Sequence, residues 1–127
     1  EFLYGVQWRN TIDVLPVAEQ YAERIAAVGD NLARYAAHAY TRYLGDLSGG
    51  QAIKRLVQRH YGFGEEGVSF YTFEAVPKAK PFKDLYRERL DALDLDAEEV
   101  ADAVAEADIA FDFAARLFEA LGERHRA

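Results

Sequence analysis

Val100, Val104, Ala107, Phe111, Ala114, Phe118 and Leu121 recur in alternating steps of four and three, a sustained apolar stripe that predicts a long helix. Asp96 is placed to cap it, Glu98 and Glu99 fall in its first turn where the macrodipole favours acids, and Gly122 ends it. The same period appears earlier, in Val17, Tyr21 and Ile25 with Ala18 and Ala22, and predicts a helix over 17–28. Pro16 suits its first turn and Gly29 its end, after which Asp30 or Asn31 is a ready cap for a helix over 32–61. Pro81 opens another helix, whose apolar face is Phe82, Leu85, Tyr86, Leu90 and Leu93. Residues 1–15 are apolar without a clear period, so Phe2 to Tyr4 reads as the end of a preceding helix and the remainder as a packed connection. Residues 62–80 form a loop, in which Val68 to Phe73 alternates as a strand does. With no partner strand, that segment is expected to lie extended over the helices. The pattern predicts an all-α chain of four or five helices in a single domain over 1–127.

One stretch breaks the pattern. In Leu44-Gly45-Asp46-Leu47-Ser48-Gly49-Gly50-Gln51, three glycines and a carboxylate interrupt good helix material, at about 1 kcal/mol per glycine relative to alanine. The compensation is close approach: Gly45 and Gly49 are one turn apart, so their bare Cα atoms share a face against which a flat ligand can lie. The Gly/Ser cluster also predicts a kink. Residues 47–51 spell the signature of ABC-type ATPases, which presents a helix N-terminus to a phosphate. A nucleotide site needs a Gly-x-x-x-x-Gly-Lys-Ser/Thr loop as well, and the sequence has none, so this remains the remote alternative.

Composition narrows the classes. The chain has 127 residues, 29% of them charged, and a net charge of −7, which argues against nucleic acid or an anionic membrane as partner. No apolar run approaches the roughly 18 residues of a membrane span, and the expected location is cytoplasmic. Without cysteine there is no disulfide, thiolate nucleophile or thiolate metal site. The chain has no methionine and opens on Glu1-Phe2-Leu3-Tyr4, which reads as the middle of a domain and predicts a piece of a longer protein.

The run Ala37-His38-Ala39-Tyr40-Thr41-Arg42-Tyr43-Leu44-Gly45-Asp46-Leu47-Ser48-Gly49-Gly50-Gln51 resembles the distal-helix signature of the heme oxygenase family. The resemblance extends through Phe82-Lys83-Asp84-Leu85-Tyr86-Arg87 to the last helix and back to Leu15-Pro16, whereas the family's front helices have no counterpart. It implies a heme-oxygenase-like helical bundle, here a partial domain, with heme as substrate and cofactor. It also implies O2, external electrons from a ferredoxin or an NADPH-dependent reductase, and products biliverdin, Fe2+ and CO. The missing helices would be supplied in cis or by a separate chain.

Residue by residue, the resemblance assigns Asp46 to anchoring a distal water network that steers attack onto a meso carbon of the porphyrin, with Arg42 helping to hold that network. Read without the family, Asp46 is a solvated residue or local cap, and Arg42 is its surface partner at i,i+4. Gly45, Ser48, Gly49 and Gly50 correspond to the backbone wall beside heme. Lys83 and Arg87, also i,i+4, correspond with Tyr40 to partners of the heme propionates, although Asp84 and Glu88 make a solvated charged face the plainer reading. Phe111 matches a residue beside the heme edge, and core packing of Phe111 and Phe118 is the alternative. No histidine is assigned to iron: His38 matches a family histidine away from the metal, His60 ends its helix, His125 is terminal, and the family's proximal histidine lies on a front helix. Ala114 stands where the family commonly has asparagine, which alters any support for the distal waters. A non-catalytic heme-sequestering module is the competing function.

Overall fold

The computed structural model describes residues 1–126, which are helical with no strand. Helix α1 is a single turn, Trp8–Thr11, and α2 is Pro16–Val28, with Pro16 in its first turn. Helix α3, Leu32–Ala39, is capped by Asn31, whose side chain accepts a hydrogen bond from the Arg34 amide. A π turn, Tyr40–Leu44, follows, and then α4, Gly45–Tyr61, which Gly62 closes in the left-handed conformation at φ +67°. A 3-10 segment spans Glu65–Tyr71, α5 spans Ala79–Asp91, and α6 spans Ala97–Arg124. Asp96 caps α6 in a reciprocal capping box with Glu99.

Two compact units emerge, Glu1–Ile12 with Arg42–Leu93, and Asp13–Thr41 with the chain from Asp94 on. In the first, α4 packs against the 3-10 segment, and Leu44, Leu47, Val68 and Val76 are its buried apolar residues. In the second, α2, α3 and α6 pack on one another around Val17, Tyr21, Val28, Ala33, Ala37 and Ala110. Ala33 and Ala37 are one turn apart, and small side chains there let α6 come close.

Three expectations need correction. Residues 65–71 form a 3-10 helix with a kink at Val68 rather than an extended ribbon; Val68 is buried, while Ser69 and Phe70 after it are both exposed, so the strand-like alternation of the sequence does not match a burial pattern. The break in the long helix is a π turn just ahead of the glycines, while α4 itself is regular from Gly45. The apolar stripe of α6 is not its buried face: Val100, Val104, Phe111, Phe118 and Leu121 are exposed, and the buried line runs through Glu106 and Ala110. That buried face carries the ion cluster around Glu106 described below.

Candidate functional site

The first turn of α4 leaves backbone bare. A Cβ added at Gly45 or Gly49 would meet nothing within 4 Å, and both residues are exposed. In a regular helix they sit one above the other, so two adjacent turns present backbone to whatever approaches. Asp46 beside them is half-buried, and Ser48 is exposed. Gly50 differs. A Cβ there would lie 2.7 Å from Cδ1 of Tyr71, so the missing side chain makes room for that ring. Gln51 Nε2 donates to the Tyr71 carbonyl at 2.7 Å and fixes the same segment. Of the three glycines, packing explains Gly50 alone.

The π turn has a local hydrogen-bond partner. Thr41 is buried, and its hydroxyl donates back to the carbonyls of Ala37 and His38, at 2.9 and 3.1 Å. Such back-bonding by threonine distorts a helix, and π turns are frequent at functional sites. Tyr43, later in the turn, packs edge-on against Phe73 at 5.3 Å and against Phe82 at 5.9 Å, tying it to the start of α5 within the first unit. Arg42 is exposed, and no ion pair joins it to Asp46 among the described residues. A π turn carries more residues than an α turn, so the i,i+4 alignment expected on a straight helix does not hold across it.

On α5, Lys83 is half-buried and Arg87 exposed. Arg87 approaches Asp84 at 4.0 Å, and Asp84 is engaged by Lys80 at 2.7 Å. The Lys80 hydrogen bond, with smaller help from Arg87 and Lys83, holds the Asp84 carboxyl below its usual range. Lys83 enters no ion pair among the described residues. Arg42, Gly45, Asp46, Ser48, Gly49, Gly50, Lys83 and Arg87 thus belong to the first unit, and Tyr40 and Phe111 to the second. Tyr40 is half-buried at the head of the π turn; Phe111 is 63% exposed, so core packing does not account for it. Ala114 is half-buried on α6.

Three residues escaped sequence reasoning: Tyr71, Thr41 and Glu106. Glu106 lies in an alanine-rich stretch with Ala103, Ala105, Ala107 and Ala110, where Asp102 and Asp108 stand beside it and nothing in the sequence singles it out. No group of His, Cys, Asp or Glu able to hold a metal ion is found among the described residues.

The heme oxygenase family profile matches residues 1–120. The chain belongs to the heme oxygenase family. It is 41% identical over 126 residues to heme oxygenase 2 of Macaca fascicularis, covering 97% of this chain and 40% of that protein. Heme oxygenase 1 of Gallus gallus is 42% identical over 124 residues, covering 95% and 42%, and heme oxygenase of Porphyra purpurea 40% over 122, covering 94% and 52%. The chain therefore spans about two fifths to one half of the relatives it matches. The all-α architecture is that of the family, and no helix among the described residues is long and apolar enough to cross a membrane.

Proposed function

We propose that this chain supplies the distal wall of a heme oxygenase that cleaves heme to biliverdin, Fe2+ and CO with O2 and electrons from a ferredoxin or NADPH-dependent reductase. The single observation that carries the reading is the pair Gly45 and Gly49, which cost helix stability and have no packing role in the chain itself. A bare helical backbone exposed over two turns suits contact with a large planar apolar ring. Heme, when bound, supplies the iron at which O2 is reduced and the ring that is cleaved.

This chain's residues bind and orient. Gly45 and Gly49 admit the macrocycle to the backbone, Ser48 offers a hydroxyl, and Asp46, half-buried at the same turn, accepts hydrogen bonds from ordered water. Arg42, in the π turn, contributes a fixed positive charge to that water network. Lys83 and Arg87 meet the two propionates by charge-assisted hydrogen bonds. Gly50 serves through Tyr71, by keeping the helix seated. The protein that carries this wall also carries the iron ligand, in cis or on a second chain, and works in the cytoplasm as one domain.

The test is a hemin titration of the chain and of Gly45→Leu with Gly49→Leu, read by the Soret band. The chain alone is expected to bind weakly and form no biliverdin, and the double variant to lose at least tenfold in affinity. Equal binding by both would refute the glycine wall. Tight binding by the chain, with a stable Soret band and no turnover once the complementary segment is added, would favour a sequestering module instead.

A further inference from the structure

A carboxylate sealed inside an apolar unit needs a reason, and Glu106 on α6 is 2% exposed. Arg24 of α2 grips it with two hydrogen bonds, Nε to Oε1 at 2.8 Å and Nη2 to Oε2 at 2.7 Å. His38, on the last turn of α3, brings Nε2 to within 2.8 Å of Oε1. The Arg24 hydrogen bonds, with His38 adding to them, hold the Glu106 carboxyl far down at about 2. Buried ion clusters seldom add net stability over apolar residues of the same volume, so one that joins three helices is better read as fixing geometry.

The hydrogen bonds settle the histidine's orientation. A carboxylate only accepts, so the hydrogen is on Nε2, and Nδ1 is left with no partner among the described residues. His38 is 4% exposed and held in one position. The backbone carbonyl of this same residue accepts from the Thr41 hydroxyl at 3.1 Å, alongside that of Ala37 at 2.9 Å. Tyr40, between them, donates its amide to the carbonyls of Ala36 and Ala37 and opens the π turn. A chain of contacts therefore runs from Arg24 through Glu106 and His38 to Thr41.

We propose that Glu106 is a positioning residue: by fixing His38 in one orientation it sets the residue at which α3 gives way to the π turn. Slippage of that opening by one residue would change which amides between Tyr40 and Gly45 lose their ordinary α-helical partners. The consequence for heme rests on the proposed function, since Arg42 and the glycines follow the turn. The placement of the turn does not.

Amide hydrogen exchange on the heme-free chain, resolved by residue, reads the turn directly. Glu106→Gln keeps the side-chain shape but removes the charge, and exchange at residues 41–45 is expected to rise at least tenfold more than in α2. His38→Leu leaves the Arg24–Glu106 pair intact and should give the same selective rise. His38→Gln keeps a donor for Glu106 and should restore protection. Asp102→Asn is the control, because Asp102 ties α6 to α3 through Arg34 at 3.3 Å without touching His38, and the turn should be unaffected. Uniform acceleration of α2, α3, α6 and the turn together, unchanged exchange in His38→Leu, or failure of His38→Gln to restore protection would overturn the proposal. If Glu106→Gln does not fold, the two His38 variants decide it. Every one of these readouts holds or fails whether or not the chain binds heme.

Discussion

Replacing each helical glycine by alanine separates packing from binding. At Gly45 and Gly49 the new methyl meets nothing within 4 Å. The gain in helix propensity is then uncompensated, about 0.8–1 kcal/mol at most, and less near the helix start. At Gly50 the methyl would sit 2.7 Å from Cδ1 and 3.4 Å from Cε1 of Tyr71, which real structures do not tolerate. That ring cannot simply swing away, because its backbone carbonyl is held by Gln51 at 2.7 Å and its segment lies against α4. Overpacking of this kind costs about 1–3 kcal/mol, offset by about 1 kcal/mol of propensity, for a net loss of about 0–2 kcal/mol. Urea unfolding of the heme-free chain, followed by circular dichroism, should show Gly45→Ala and Gly49→Ala at or above the parent's midpoint and Gly50→Ala at or below it. The order should reverse for hemin, with the two stabilised variants binding worse. A Gly49→Ala chain that loses more than about 1 kcal/mol without ligand would refute the reasoning, since something in the chain would then fill the space that the structure leaves open.

Acid should find Glu106. A folded-state pKa lowered from 4.5 to about 2 means that its stabilisation is complete above 4.5 and lost as pH falls towards 2. The loss is about 2–3 kcal/mol, and Glu106→Gln should flatten the slope of stability against pH in that window. In the protein that contains the whole heme domain, Asp46→Ala should leave hemin affinity within about threefold, because a carboxylate that acts through water adds little to burial of the ring, while biliverdin formation falls at least tenfold; normal turnover would dismiss the role. Replacing both Lys83 and Arg87 by Ala should broaden the mixture of biliverdin isomers more than it weakens binding, as chromatography of the product would show, and an unchanged single isomer would return both to a solvated charged face.

Helix positions were legible because their signals are local. Pro16, Asn31, Asp96 and Glu99 act on the nearest turn, and each sits where the structure uses it. The run around Gly45 carries its own anomaly, three residues that weaken a helix. What escaped depends on partners far along the chain. Tyr71 fills Gly50 from 21 residues away, and Arg24 and His38 meet Glu106 across separations of 82 and 68. Periodicity on α6 identified a helix but not its inward face, which carries Glu106 and Ala110 while the valines and phenylalanines of the stripe are exposed. The π turn is accompanied by a threonine hydroxyl that reaches back one turn, a contact that ordinary helical spacing does not reveal.

The ring of Tyr71 lodged at Gly50 has a mechanical consequence. Successive helical residues point about 100° apart, so the side that receives Tyr71 lies next to the side bared at Gly49. A planar molecule pressed onto α4 pushes a helix already braced at its shoulder by an aromatic wedge. Such a wall gives little under load, and a ligand that fits it must find its own place on the surface rather than mould it.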